Sequence, residues 1–183
     1  AEGGGVTGLD RDRARGPGVL DLVATERWVA AVAETWWAAE QALVRATVRT
    51  SGPERADTAA IDAALATAMS STDAVTLFER GDFAAAIEGA RPLATTYRAA
   101  AGLHLDLEPL TATARLNGDR LEVWAPTQAP ELARRAAATA AGLPLAQVTL
   151  YPMPVGGQGG RALEADAIPI AVALAQRTGK PVQ

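Results

Sequence analysis

Cysteine is missing from the 183 residues, histidine occurs once, at His104, and aromatic residues make up only 4%. Without cysteine there can be no disulfide, no thiolate-bound metal and no cysteine nucleophile. With one histidine and no G-x-S-x-G elbow, a serine-histidine-aspartate relay has nothing but His104 to build on. An excess of basic residues is lacking too: 17 Lys and Arg face 21 Asp and Glu, for a formal charge of -4 and a pI near 5.1. That balance argues against nucleic acid, which needs a basic stripe. The densest basic cluster, Arg11, Arg13 and Arg15, alternates with Asp10 and Asp12 and reads as a solvated loop. No apolar run reaches the roughly 18 residues of a membrane span, and no signal-peptide pattern opens the chain. The first residues, AEGGG, read as a cloning scar, and with the closing GKPVQ they lead us to expect a piece cut from something longer.

What is present is a succession of short strand and helix signals, long enough for one domain or two small ones with a real core. After the turn Gly16-Pro17-Gly18, LDLVA (20–24) and WVAAVA (28–33) read as strands. TWWAAEQALVRA (35–46) reads as a helix with Trp36, Ala39 and Leu43 on one face, VRT (48–50) as a returning strand, and Ser51-Gly52-Pro53 as the stop. This makes 1–53 a small α/β lobe. Trp36 and Trp37 are adjacent and point to different sides of the helix, so one of them should leave the lobe's own core and meet a packing partner. Residues 54–73 turn polar, then alanine-rich; with Asp57 or Thr58 as cap and Ile61, Leu65 and Ala68 at helical spacing, they form a helix or part of a linker. GDFAAAIEGA (81–90) is a second short helix capped by Asp82, which makes 54–90 a helical connecting segment, and LATTYRA (93–99) alternates as a strand.

The signals sharpen toward the end of the third stretch, 91–183. TATARL (111–116) and RLEVWA (120–125) flank Asn117-Gly118-Asp119, a strong hairpin signature. Thr127 can cap the next helix, which carries Pro130 in its first turn and is stopped by Gly142 and Pro144. AQVTLYPM (146–153) is the next strand, VGGQGGR (155–161) a glycine loop, and Asp166 the cap of a last helix that holds Pro169 and ends at Gly179. Polar or glycine-rich turns thus stand at helix N-termini, where backbone N–H groups can meet an anionic group. Taken singly, VGGQGGR is neither a P-loop nor the opening of a dinucleotide unit and reads as a tight turn, and Gln128 reads as a surface amide. His104, Asp106 and Glu108 alternate in HLDLE and would share one strand face, as metal ligands can. Successive members would stand about 6–7 Å apart by strand rise, too far to share an ion without distortion, so a polar strand face is the better reading.

Taken together, HLDLEP (104–109), EVWAPTQAP (122–130), AAGLPLAQVTL (140–150) and VGGQGGRALEAD (155–166) resemble the molybdopterin-binding large subunits of the xanthine dehydrogenase and aldehyde oxidase family. Within it, the isoquinoline 1-oxidoreductase beta subunit is the branch they resemble most. That family carries H-x-x-x-E-P, then a strand ending V-W-x-x-T-Q, an alanine-rich helix ending in A-G, a strand, and a loop G-G-G-F-G-R-R, in this order and spacing. Pro17 to Val19 and VAAVAETWWAAEQAL (29–43) are similar to the second half of its hammerhead-like domain.

The resemblance implies an α/β (α+β) fold: a hammerhead-like lobe followed by the strand-helix-strand-loop-helix unit of the molybdopterin-binding domain. It implies that Gln128 is the glutamine whose amide approaches the apical oxygen ligand of molybdenum, donating without adding charge. Gly156, Gly157, Gln158, Gly159, Gly160 and Arg161 would form the loop whose backbone lies against the cofactor, where a Cβ would clash. The metal would be held by the pterin dithiolene and by no protein side chain. Also implied are a molybdenum-molybdopterin cofactor in its cytosine dinucleotide form, and two partners, the remainder of the large subunit and an iron-sulfur small subunit. The compartment stays open between bacterial cytoplasm and periplasm, and for the intact enzyme the resemblance implies hydroxylation of an N-heterocycle or aldehyde carbon with water as oxygen source.

Two departures bear on specificity. Gln158 stands where the family has a third glycine, and Gly159 where it has the phenylalanine that lines the substrate pocket. The family's late glutamate base has no match, since Glu164 follows the loop outside that motif, so the isolated piece should be inactive and hold no catalytic residue. A degenerate binding or scaffold module of the same fold is the alternative, and an unrelated α/β protein with chance glycine turns a third.

Overall fold

The computed structural model describes residues 4–52, 57–100, 102, 107–157 and 159–183. The chain divides into two units, one formed by 1–53 together with 104–183, the other by 54–103. The first unit begins with β1 (Gly5–Gly8), α1 (Arg11–Ala14), β2 (Val19–Ala24), β3 (Val29–Ala33), α2 (Trp36–Arg45) and β4 (Arg49–Ser51). β2 and β3 form an antiparallel hairpin, from Val19 opposite Ala33 to Ala24 opposite Val29. Its turn is organised by Thr25, whose Oγ1 accepts the N–H groups of Arg27 at 3.2 Å and Trp28 at 3.0 Å. Thr35 opens α2 by accepting the Ala38 N–H at 3.2 Å, and Ala14, Leu22 and Ala46 form a small core backed by Leu43.

One reading of the opening residues is corrected here. Gly5, the last residue of AEGGG, belongs to β1 and pairs with Ser51. The arginine cluster is no solvated loop: Asp10 accepts the Arg13 N–H at 3.0 Å and caps α1, Ala14 is buried, and Arg11 donates to the Leu22 carbonyl at 2.7 Å. The charge alternation that looked loop-like is one turn of helix whose acid caps and whose base reaches across to β2. Of the tryptophans on α2, both are exposed, Trp36 at 75% and Trp37 at 64%, so neither enters the lobe's core.

The rest of the unit holds β5 (Thr113–Asn117), β6 (Arg120–Pro126), α5 (Pro130–Ala141), β7 (Val148–Met153) and α6 (Ala167–Thr178). The sheet order is β5-β6-β7, with β5 antiparallel and β7 parallel to β6. A parallel pair needs a crossover connection, and α5 supplies it. The hairpin falls where the sequence places it, with a shift of one residue: Asn117 pairs with Arg120, so Gly118 and Asp119 are the central pair. Gly118 alone of the two has a positive φ, 64°, as the first position of a type II′ turn requires. Alternation sends Ala114, Leu121, Val123, Ala125 and Val148 to one face, where Ala133 and Ala137 of α5 and Ile168 and Val172 of α6 cover them. Leu121, Val123 and Val172 are fully buried, each contributing about 1.5–3 kcal/mol of transfer energy. On the opposite face Trp124 stacks on Tyr151 with ring centroids 5.0 Å apart, and the Arg115 guanidinium lies 5.4 Å from the Trp124 centroid. Asp21 of β2 is paired with Arg177 of α6, and that guanidinium holds the Asp21 carboxyl below its ordinary range.

The second unit contains α3 (Thr58–Met69), capped by Asp57 on the Ala60 N–H at 2.7 Å, and α4 (Phe83–Ile87), capped by Asp82 on the Ala85 N–H at 2.9 Å. Arg98 is paired with Asp62. The strand expected over 93–99 does not form. Alternation makes a strand only where a neighbouring strand takes up its backbone N–H and C=O groups.

Candidate functional site

β6 runs into α5 through Thr127, Gln128 and Ala129. The N-cap position belongs to Ala129, which makes no side-chain cap bond, and Thr127 sits two residues earlier, buried. Its hydroxyl accepts the Ala129 N–H at 3.0 Å and donates to the Ala162 carbonyl at 3.3 Å. The same carbonyl accepts the Gln128 N–H at 3.1 Å. Ala162 is fully buried in the 3-10 turn Arg161–Leu163 that follows the glycine loop. One carbonyl therefore pins the far end of that loop to Thr127 and Gln128, and the two segments singled out in the sequence come together. Gln128 itself is exposed at this junction.

Backbone conformation requires glycine at three described positions of the loop. Gly157, Gly159 and Gly160 have φ of 60°, 54° and 97°, in the left-handed region where a side chain is strained. At Gly156 an added Cβ would meet only the Glu108 carboxylate, the movable end of an exposed side chain. A Cβ on Gly157 would also meet Leu107 Cδ1 at 2.9 Å, and the Leu107 N–H donates to the Gly157 carbonyl at 3.4 Å. Leu107 is 86% exposed, so it lies beside the loop at the surface. His104 and Asp106, read as members of a polar strand face with Glu108, lie outside the described residues, as does Gln158.

Arg161 is held by acids of the same chain, with a nitrogen 3.3 Å from Asp166 and 3.6 Å from Glu164. Asp166 stands at the N-cap position of α6 but makes no cap bond there, because its carboxylate is turned to Arg161. Among the described residues no group of three His, Cys, Asp or Glu could hold a metal ion. The donor set is instead one exposed primary amide and a loop of left-handed glycines. It fits a group held through amide and backbone contacts and carrying its own metal ligands.

Sequence reasoning missed two parts of this arrangement. Thr127 was read as a cap, and the Leu107-Glu108 segment as strand; both contact the glycine loop region only through the fold. The available signal was the presence of HLDLEP among the resembling segments, which gave order along the chain but no contact.

A sequence profile of the Molybdopterin cofactor-binding domain family matches residues 68–183. The match takes in more than half of the chain, and the chain belongs to that family. Two solved structures are similar to it. Quinoline 2-oxidoreductase from Pseudomonas putida 86 matches with a TM-score of 0.63 at 18% identity, and the Cu,Mo-CO dehydrogenase in its carbon monoxide reduced state with 0.58 at 16%. Each match covers 98% of this chain and 29% of the other, so the chain spans less than a third of the length of either. No curated protein matches the sequence. The mixed α+β architecture expected from the sequence is thus borne out, and it is similar to the corresponding part of these two structures.

Proposed function

We propose that this chain is the part of a molybdenum hydroxylase large subunit that forms one wall of the molybdopterin site, with Gln128 and the loop from Gly156 to Arg161 facing the cofactor. One observation carries the reading: the Ala162 carbonyl joins the backbone of Gln128 to the end of the glycine loop, in a chain of the molybdopterin cofactor-binding family. The Gln128 side chain would donate a neutral amide hydrogen bond to the bound cofactor, and the amides of Gly159 and Gly160 would face its anionic part. Gly159, in place of phenylalanine, would leave the substrate side of this wall without the ring that the resemblance puts there. When bound, the cofactor, in its cytosine dinucleotide form, supplies the two-electron oxidation of a substrate carbon.

The intact enzyme hydroxylates a carbon beside a ring nitrogen or an aldehyde carbon, taking its oxygen from water and passing electrons to an iron-sulfur subunit. Residues 1–183 alone do not turn over. The test is to express the full-length large subunit with its neighbouring subunits, assay molybdenum by elemental analysis, and follow incorporation of oxygen-18 from water into quinoline or isoquinoline. Stoichiometric molybdenum with labelled product is expected; a complex devoid of molybdenum sinks the reading. The departures in the loop favour a second reading, a scaffold module of the same fold that no longer holds cofactor. Restoring Gln158→Gly and Gly159→Phe decides between them, because only a decayed site gains molybdenum.

A further inference from the structure

The two outer edges of the β5-β6-β7 sheet differ. The edge at β5 is occupied: the Ala114 N–H donates to the Val182 carbonyl at 2.9 Å, and the Val182 N–H donates back to the Ala114 carbonyl at 3.0 Å. Outside β7 there is no strand among the described residues, and no backbone hydrogen bond among them reaches it from that side. A strand paired on one side only turns alternate N–H and C=O groups outward. Proteins that leave such an edge in water usually protect it with charge, a bulge or brevity. β7 has six residues, none of them charged, and it pairs with β6 in unbroken register from Val148 opposite Leu121 to Met153 opposite Pro126. Pro152 removes one donor but leaves every carbonyl in place. The helices cover the parallel β6-β7 pair on one face only, whereas parallel strands are ordinarily buried on both. On β7, Tyr151, stacked on Trp124, is 40% exposed, and Met153 is 45% exposed.

We propose that the outer edge of β7 is a docking site for an extended strand from the remainder of the large subunit, which continues the sheet past β7 and covers Tyr151 and Met153. Two observations name that occupant. The edge offers donors and acceptors at strand spacing, which another strand satisfies in a row and a helix or side chain does not. More than two-thirds of each similar structure lies outside the match, since only 29% is covered. A strand tethered in the same polypeptide meets the edge at a far higher effective concentration than one brought by a separate subunit. Because β7 leads directly into Pro154 and Val155, the added strand would stand beside the base of the glycine loop. The identity of the occupant rests on the molybdenum hydroxylase reading; the open edge does not.

The experiment uses the full-length large subunit assembled with its neighbouring subunits. In the wild type, amide hydrogen exchange resolved to single residues should find Thr149, Leu150, Tyr151 and Met153 all at least about a hundredfold slower than free amides, because a strand paired on both sides has no amide in water. Slow and nearly free amides alternating along β7 would mean an unpaired edge and overturn the proposal. A photoreactive p-benzoylphenylalanine in place of Met153, which is outside the core, then identifies the occupant. With isotope-mixed subunits to tell one copy from another, a cross-link to a part of the same large subunit outside residues 1–183 is expected. A cross-link to a different subunit or to a second copy, or none on irradiation, overturns the assignment. Protected, cross-linked β7 in a complex devoid of molybdenum would defeat the functional reading and leave the strand pairing standing. Freely exchanging outward amides in a molybdenum-loaded complex would do the reverse.

Discussion

Thr47 is the one described residue other than glycine with a positive φ, at 46°, just beyond the end of α2. A β-branched side chain is poorly suited to the left-handed conformation, which at a helix C-terminus is usually taken by glycine. Its hydroxyl donates to the Arg45 carbonyl at 3.2 Å, a partial offset in an exposed position. Thr47→Gly should therefore raise stability by up to about 1 kcal/mol in urea unfolding; a loss instead would mean that the hydroxyl bond outweighs the backbone strain. Gln128 presents the opposite case, a residue whose replacement should leave the fold alone. Gln128→Ala should shift stability by less than about 0.5 kcal/mol, since the side chain is exposed. On the proposed role it should lower turnover of the intact enzyme by about a hundredfold, the effect of removing one donor aimed at developing charge. Equal turnover in the variant would remove Gln128 from the site.

At the level of elements, the junction of β6, α5 and the glycine loop depends on Thr127, which is 8% exposed and the one buried polar residue among those described. Valine has the same shape without the hydroxyl, leaving the Ala129 N–H without its acceptor and the Ala162 carbonyl with one donor fewer. Thr127→Val should cost about 1–3 kcal/mol and speed exchange at the Gln128 and Ala129 amides ahead of those in β5; slow exchange there would show that the hydroxyl is dispensable. The elements themselves were unevenly legible. The β5-β6 hairpin, α5 with Pro130 and Gly142, and α6 with Gly179 announce themselves through turn and cap residues that act within a few positions. β1 and α1 were missed because GVTG and RDRA carry no hydrophobic period; β1 exists because Arg49 to Ser51 lies beside it. The strand expected over 93–99 is the converse, a period-two pattern without a partner.

Across the whole first unit, the Asp21 and Arg177 pair joins β2 to α6, residues far apart in sequence. Arg177, chiefly by hydrogen bonding, holds the Asp21 carboxyl below its ordinary range. A carboxyl whose native pKa is depressed stabilises the fold above its unfolded pKa of about 3.9, and that contribution fades as pH falls through the native value. The stability difference between wild type and Asp21→Asn should thus be constant from neutral pH to about pH 5 and shrink below about pH 4; a difference that persists undiminished in acid would assign it to some other contact. The sequence by itself determined the family and the mixed architecture, because the ordered segments HLDLEP, EVWAPTQAP and VGGQGGRALEAD are local strings, and it determined the hairpin and helix ends, because capping and turn chemistry act within one or two turns of chain. Only the tertiary structure decided how the two segments meet. The Ala162 carbonyl binds Thr127 and Gln128, contacts between residues dozens of positions apart whose distances no local pattern encodes.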